Sequence, residues 1–311
     1  GMCGSCAAAA SSVGSMMIPA LREEKYDDDF IGAVIASGAV LGPIIPPSII
    51  MVIYASISGA SVAKLFLGGI APGVIIGALL MVTAYIISVK RGYKVKNDKL
   101  PSVSVIGKAF LKSLPALILP FAIMGGIMSG IFTATEAGAM ACAYAFILGI
   151  LTKELKISDI RGVLFRAAKS ATNILLLMAT GSILGWILTK NQVPQNMTKL
   201  LLGITTQPIL LMLIVIAFVL FLGCFLTDST IVPLLTPLLL PVIVSIGYDQ
   251  IAFGVILCVV AVLGNLTPPV GGLLFVVSGV GKIPVMSISK AVLPFLGVII
   301  FVMLLCTIFP S

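Results

Sequence analysis

Stretches long and apolar enough to cross a lipid bilayer recur along this chain. They cover Phe66–Lys90, Leu114–Phe132, Ala137–Thr152, Ala171–Thr189, Pro208–Leu226 and Val285–Phe309. One helical crossing takes about 20 apolar residues, with a working range of roughly 17 to 25. Hydrocarbon offers no partner to backbone N–H and C=O groups, so only helices and closed barrels span it. The runs lack the alternation of barrel strands, which predicts helices. Charge content agrees: 10% of the 311 residues are charged, against roughly 25% in a soluble domain. The predicted fold class is an all-α polytopic membrane protein.

The formal net charge of +8 raises the question of nucleic acid, and its placement answers it. Lys90, Arg91, Lys94, Lys96, Lys99, Lys108 and Lys112 fall in one connection, and Lys153, Lys156, Arg161, Arg166 and Lys169 in another. Basic connections stay in the cytoplasm. The two runs between them make an out-and-back pair, as this requires. Aromatic residues are sparse among the basic ones (Tyr93, Phe110 and Phe165), so the charge reads as a positive-inside signal and not as a nucleic-acid patch. The chain contains no histidine. That removes His-ligated metal sites, His proton relays, Ser-His triads and the H-E-x-x-H protease. The cysteines Cys3, Cys6, Cys142, Cys224, Cys258 and Cys306 read as small apolar packing residues.

An internal repeat organises the rest. Gly42-Pro-Ile-Ile-Pro-Pro-Ser48 matches Gly264-Asn-Leu-Thr-Pro-Pro-Val270 at an offset of 222 residues. The same offset pairs Gly1 with Gly223, Pro19 with Pro241, Tyr26-Asp27 with Tyr248-Asp249, Gly32 with Gly254, and Ala39-Val40-Leu41 with Ala261-Val262-Leu263. It also pairs Ser56 with Ser278, Gly59 with Gly281 and Pro72 with Pro294. With the loop Arg22–Asp29 in the cytoplasm, Phe30–Ser58 runs outward and Phe66–Lys90 returns. Pro208–Gly247 is too interrupted for two clean spans and reads as a re-entrant hairpin from outside. Ile251–Gly281 then runs inward. The matched segments cross in opposite senses, which is the inverted-topology repeat of secondary transporters. The second repeat has an apolar arm, Pro208–Phe225, ahead of its hairpin tip. The matching arm is expected ahead of Gly1, which opens inside a small-residue run, with roughly a hundred residues of the first repeat upstream.

The chemistry is expected where helices break. Gly42–Ser48 interrupts an apolar span, since proline removes a donor and clashes with the preceding turn. Freed carbonyls such as those of Gly42 and Ile45 can ligate a cation. The second half-helix is expected to begin near Pro46 or Pro47, its positive end aimed at the same spot. Gly264–Pro269 repeats the design through Thr267, Pro268 and Pro269, with Asn265 and Thr267 adding side-chain oxygens. Asp228 and Glu136 are the acids inside the apolar runs. Asp228 lies at the predicted hairpin tip, Leu226–Thr230. An intramembrane carboxylate marks function by default, and Na⁺ prefers oxygen ligands. Asp228 also fits as the N-cap of a helix beginning at Ser229, which does not exclude ion binding. Glu136 reads as the last member of a capping box, Thr133-Ala-Thr-Glu136. Lys190 and Lys199 read as solvated. An aspartyl enzyme needs two facing carboxylates, and Asp249 falls in a loop.

These residues carry a family resemblance over essentially the whole chain. Gly1-Met-Cys-Gly-Ser-Cys with Gly14-Ser15 and Ile18-Pro19-Ala20, Gly42–Ser48, Gly125-Gly126-Ile127 through Glu136-Ala137, Gly223 with Asp228 and Pro241, and Gly264 with Thr267–Gly271 resemble the large membrane subunit of TRAP (tripartite ATP-independent periplasmic) transporters. The resemblance implies an elevator-type carrier of the bacterial inner membrane that takes up C4-dicarboxylates, sialic acid or other sugar acids. It implies Na⁺ as coupling ion and no further cofactor. The implied partners are a small membrane subunit and a periplasmic substrate-binding protein. It places one sodium site at Ser5, Gly42 and Pro43–Ser48, and the other at Asp228, Gly264 and Thr267. Cys3 stands where the family's hairpin usually has Ser, and Ala9 where an acid or Thr is common. The expected organisation is a first-repeat transport segment over residues 1–62, connecting and scaffold helices over 63–205, a second transport segment over 206–284 and a final helix over 285–311. A proton-coupled or tripartite tricarboxylate-type permease is the alternative.

Overall fold

The computed structural model describes residues 4–93, 102–205 and 207–308, which form fifteen helices and, among the described residues, no strand. Six of the described helical segments are long and apolar enough to cross a membrane, or up to seven with a bent pair counted as one. The all-α polytopic expectation therefore holds. The chain divides into two compact units, Val95–Leu176 and the combination of Gly1–Lys94 with Leu177–Ser311.

The smaller unit contains α6 (Val103–Met128), α7 (Ala134–Leu151) and the first part of α8 (Ile157–Lys190). Helices α6 and α7 pack together, and the Tyr144 hydroxyl donates to the Pro115 carbonyl at 2.7 Å. The capping box is formed: the Thr133 hydroxyl accepts from the Glu136 N–H, and the Glu136 carboxylate accepts from the Thr133 N–H. Lys108 and Lys112 ride on α6, and Arg161, Arg166 and Lys169 on α8. The basic segments are thus partly helical extensions and not connecting loops. At 1.5 Å per residue the 34-residue α8 is about 51 Å long, well beyond the roughly 30 Å of hydrocarbon. Its charged first turns have length to spare outside. Lys94, Lys96 and Lys99 lie outside the described residues.

The larger unit carries the repeat. Helix α1 (Cys6–Glu23) and helix α11 (Asp228–Ser245) are both 18 residues long and stand in the 222-residue register. After α1 come α2 (Asp28–Ala39), α3 (Leu41–Ile44) and α4 (Ile49–Ser58); after α11 come α12 (Gln250–Leu266) and α13 (Gly272–Gly281). The breaks match in backbone detail. Ile45 and Thr267 are both extended, at φ/ψ of −82°/124° and −87°/125°. Each precedes a proline, whose ring disfavours the helical region for its predecessor. The Pro46–Pro47 and Pro268–Pro269 bonds are both cis. The outgoing half-helices begin later than expected, at Ile49 and Gly272 and not at the prolines. Ser48 explains the first case, because its hydroxyl accepts from the Met51 N–H and makes it the N-cap.

Two hydrogen bonds set the relative sense of the repeats. The Arg22 side chain, at the end of α1, donates to the carbonyl of Gly281, at the end of α13, at 2.7 Å. At the other end, the Gln250 amide donates from the start of α12 to the Ser58 carbonyl at the end of α4, at 2.9 Å. Each broken helix starts where the other finishes, so they run antiparallel. Helix α1 packs on α13, and α11 packs on α4. In α12, every residue from Phe253 to Leu266 is buried.

The remaining elements of this unit are α5 (Val62–Lys90), the rest of α8, α9 (Val193–Ile204), α10 (Pro208–Gly223), α14 (Val285–Ala291) and α15 (Leu293–Ile308). Of these, α5, α10 and α15 pack on α12, α9 on α11, and α14 on α2. Helix α10 is 16 residues, about 24 Å, too short for a full crossing and suited to the arm of a re-entrant hairpin. The expected single span Val285–Phe309 divides at Val292 into α14 and α15, with Pro294 in the first turn of α15 where its missing N–H costs nothing. The chain bends by 119° between α13 and α14. Near the start of α2, Arg91 at the end of α5 holds Asp29 with both guanidinium nitrogens, at 2.8 and 2.9 Å, and reaches Asp27 at 3.1 Å. The Asp29 hydrogen bonds raise the Arg91 pKa above its usual value. The Tyr93 hydroxyl donates to Asp27 at 2.6 Å.

The antiparallel repeats place equivalent positions on opposite sides of the membrane. Glu23 ends α1 and Ser245 ends α11, and both are exposed. With the other cysteines replaced, a membrane-impermeant maleimide is expected to label Ser245→Cys in intact spheroplasts and Glu23→Cys only after permeabilisation. Labelling of both from one side contradicts the arrangement.

Candidate functional site

The helix ends of the two repeats meet inside the larger unit. Cys6 is the first residue of α1, Asp228 the first residue of α11, and Asn265 lies in the last turn of α12. All three are buried, at 4%, 9% and 4% exposure. The Cys6 thiol donates to Asp228 Oδ2 at 3.9 Å, and the Asn265 amide donates to Cys6 Sγ at 3.8 Å. Cys6 and Asp228 are 222 residues apart. The residue and its counterpart in the other repeat therefore touch, which puts this pair on the pseudo-symmetry axis.

Asp228 is not the helix cap. Thr227 holds that position and makes no side-chain capping bond, and α11 begins at Asp228 itself and not at Ser229. Asp228 Oδ1 accepts from the adjoining Ser229 N–H at 3.0 Å. Two helix N-termini point their positive ends at the cluster, which favours a carboxylate. The C-terminal end of α12 presents carbonyls there, which favours a cation. A site with both kinds of dipole can take an ion and a carboxylate side by side.

The other expected residues lie along the breaks. Ser5 is the N-cap of α1, its hydroxyl accepting from Ala8 N–H at 3.5 Å. Gly4, at φ +62°, brings the hairpin tip onto the first break: a Cβ there would sit 3.0 Å from the Ile49 side chain and 3.2 Å from the Pro47 carbonyl oxygen. In the second repeat the Gly271 N–H donates to the Cys224 carbonyl at 3.3 Å. Each hairpin tip thus rests on its own repeat's break. Gly42 is buried in α3, which packs against α1, α5 and α12. The Ile45 side chain lies against Gly73 of α5. The buried Ser48 hydroxyl is occupied in capping α4. Thr267 donates its hydroxyl to the Leu263 carbonyl at 2.8 Å, leaving its oxygen lone pairs for a ligand. Pro46, Pro47, Pro268 and Pro269 shape the breaks and offer carbonyls.

Gly264 has a use that periodicity and motif reading do not supply. It abuts the backbone of Gly223 at the end of α10, so closely that a Cβ on Gly223 would lie 2.8 Å from the Gly264 Cα. The paired glycines let the hairpin arm lie directly on the broken helix. The 222-residue offset makes Cys6 the counterpart of Asp228 and is the sequence signal for its place in the cluster. Cys3 and Cys6 also stand in C-x-x-C spacing, which the packing reading of the cysteines overlooks. Cys3 lies outside the described residues. On α8, Gly181 and Gly185 meet Pro233 and Pro237 of α11, with Cβ positions 2.7 Å from the neighbouring Pro233 oxygen and Pro237 Cβ.

The whole chain, residues 1–311, matches the family model of the tripartite ATP-independent periplasmic transporter DctM component. The chain belongs to this family. It is 37% identical over 314 residues to the sialic acid TRAP transporter large permease protein SiaM of Vibrio cholerae, covering all of this chain and 73% of that protein. It is 36% identical to the isethionate TRAP transporter permease protein DctMQ of Oleidesulfovibrio alaskensis, over 99% of this chain and 48% of the relative. It is 36% identical to the sialic acid TRAP transporter permease protein SiaT of Haemophilus influenzae, over 100% of this chain and 50% of the relative. The chain therefore spans about half the length of the last two. These relatives are named as permeases.

The Gly223–Gly264 contact gives a direct packing test. Gly223→Ala must push α10 off α12 and is expected to cost about 1–3 kcal/mol, the usual range for overpacking, read as a lower midpoint of thermal unfolding. Gly38→Ala meets nothing within 4 Å and is expected to leave the midpoint unchanged or slightly raised.

Proposed function

We propose that this TRAP large subunit forms the translocation pathway of a sodium-coupled carrier that brings small organic acids across the bacterial inner membrane. The observation that carries the reading is the buried Asp228, set where α1, α11 and the end of α12 converge. A carboxylate held at 9% exposure beside an apolar bundle is costly unless a cation or proton balances it. Sodium is the assigned ion, with Asp228 and Thr267 as side-chain ligands and carbonyls of Gly264 and its neighbours completing the shell. Ser5, Gly42 and the Pro43–Ser48 break form the pseudo-symmetric second site.

The substrate class is supported by the names of the relatives, which specify sialic acid, isethionate and, for a 32% identical Vibrio cholerae protein, C4-dicarboxylate. All are small organic anions. Among the described residues, no Arg is buried. The substrate's anionic group is therefore held by helix N-termini and hydroxyls between the two ion sites. The hairpins and broken helices move as a block, in elevator fashion, against the remaining helices. A small membrane subunit completes the membrane part, and a periplasmic binding protein delivers the substrate. Proton coupling is the second reading, favoured by the thiol and amide partners of Asp228, which are not the oxygen ligands Na⁺ prefers.

Uptake by the complete transporter in proteoliposomes decides between these readings. An inward Na⁺ gradient is expected to drive accumulation of a labelled organic acid, K⁺ is not, and Asp228→Asn is expected to abolish uptake while inserting normally. Equal uptake under a proton gradient without Na⁺ contradicts the sodium reading.

A further inference from the structure

The 222-residue offset places Tyr26-Asp27 and Tyr248-Asp249 at equivalent corners, one before α2 and one before α12. The first corner is closed. The end of α5 brings Arg91 to Asp27 at 3.1 Å and the Tyr93 hydroxyl at 2.6 Å, and the Tyr93 and Tyr26 ring centroids lie 4.4 Å apart. A cation, a hydroxyl donor and an apolar ring fill the space beside the aspartate. At the second corner none of the described cations pairs with Asp249. A cavity of about 580 Å³ opens beside it instead, between α5, α12 and α15. That volume lies within the roughly 300–1,000 Å³ of small-molecule sites.

The cavity has one charged end. Lys64, in the first turn of α5, and Asp249 line it there, and both are exposed. Asp249 Oδ2 accepts from the Ile251 and Ala252 N–H groups at 2.7 and 2.8 Å, which leaves Oδ1 for a ligand. Beyond Lys64 the α5 lining is apolar, through Leu67, Ala71 and Ile75. From Lys64 to Ile75 the groove runs about 16 Å at 1.5 Å per residue, close to half of a roughly 30 Å hydrocarbon core. The basic end of α5, at Lys90 and Arg91, is the cytoplasmic one, which puts the charged end of the groove at the periplasmic surface.

We propose that this groove holds one zwitterionic phospholipid of the periplasmic leaflet, of the phosphatidylethanolamine type. Its phosphate lies on Lys64, its ammonium on Asp249, and one acyl chain runs between α5, α12 and α15. The paired charges select the headgroup. An anionic lipid meets Lys64 but is repelled by Asp249. A choline headgroup balances the charge but has no N–H for the carboxylate. A primary ammonium carries three donors, and so supplies to Asp249 what Arg91 and Tyr93 supply to Asp27. The lipid thereby ties the start of α12 to α5. The site lies at the opposite end of α12 from Asn265, and it does not depend on which ion is coupled.

Native mass spectrometry of the complete transporter tests this. The purified protein is stripped of lipid in detergent and given equal amounts of dioleoyl phosphatidylethanolamine, phosphatidylcholine and phosphatidylglycerol. The wild type is expected to retain one phosphatidylethanolamine in preference to the other two. Asp249→Asn keeps the N-cap, because Asn caps as well as Asp. It is expected to reduce the preference over phosphatidylcholine by a factor of about 2–5, the scale of an exposed ion pair. Lys64→Gln is expected to lower retention by a similar factor. Ala71→Trp fills the groove from an exposed position and is expected to abolish retention, while Lys199→Gln, outside the cavity, is expected to leave it unchanged. Because Asp249→Asn alters no apolar contact, it tests the headgroup even if Ala71→Trp does not fold. Equal retention of phosphatidylethanolamine and phosphatidylcholine by the wild type, or a preference untouched by Asp249→Asn, overturns the inference. Retention unaffected by Ala71→Trp places the lipid elsewhere and also overturns it. Absence of any retained phospholipid gives the cavity to a protein segment and overturns it as well.

Discussion

A helix that stops inside a membrane protein exposes carbonyls at one end and N–H groups at the other, and the rest of this structure answers to that constraint. The unwound backbone is tolerated only where protein covers it. The Pro46–Pro47 and Pro268–Pro269 breaks each receive the hairpin tip of their own repeat, through Gly4 in the first and the Cys224–Gly271 bond in the second. Each outgoing half-helix is then covered by the hairpin arm of the other repeat, α13 by α1 and α4 by α11. Neither repeat covers its outgoing half-helix with its own hairpin arm. This mutual cover explains why the two must run antiparallel. Among the described residues no buried side-chain nitrogen or oxygen lacks a hydrogen-bond partner.

Glycine and proline divide the labour of this packing. Proline ends the incoming half-helix by forcing Ile45 and Thr267 into extended conformations. Glycine then lets backbones approach, as at Gly223 with Gly264 and at Gly181 and Gly185 against the prolines of α11. In lipid there is little hydrophobic gain from helix association, so close van der Waals contact between small residues carries more of the energy. Polar residues fix the ends. Arg22 and Gln250 tie each repeat to the terminus of the other, and Arg91 with Asp27 and Asp29 anchors α5 to the start of α2. At about one-third exposure, the Arg91–Asp29 pair is worth on the order of 1 kcal/mol or less, and its use is to fix register.

Much of this was legible before any coordinates. The apolar runs gave the helices, and the 222-residue offset gave the repeat with α1 and α11 starting in register. The capping box at Thr133 was visible because it depends on four consecutive residues. What escaped was set partly by local caps and partly by contacts between distant segments. The place where each outgoing half-helix begins depends on a cap, Ser48, and on the glycines at 271 and 272, which the proline motif does not announce. The small-residue contact of Gly264 with Gly223 joins residues 41 positions apart in sequence. Cys6 is the sharpest case: taken alone it is a small apolar residue in an alanine-rich run, and only the pseudo-symmetry axis brings it to Asp228. The extension of the basic residues into α6 and α8 escaped because hydropathy marks the apolar part of a helix and not its ends.

The central claim is that the meeting point of the two repeats holds sodium through Asp228, and ion-specific stability tests it most directly. A ligand that binds only the folded state stabilises it by about 2.7 kcal/mol at a hundredfold excess over Kd. Thermal unfolding of the complete transporter would be followed in NaCl and in KCl at equal ionic strength, for the wild type and for Asp228→Asn. The expected result is a Na⁺-specific rise in Tm in the wild type that is absent from the variant. Equal Tm in the two salts, or a Na⁺ effect untouched by Asp228→Asn, would contradict the assignment.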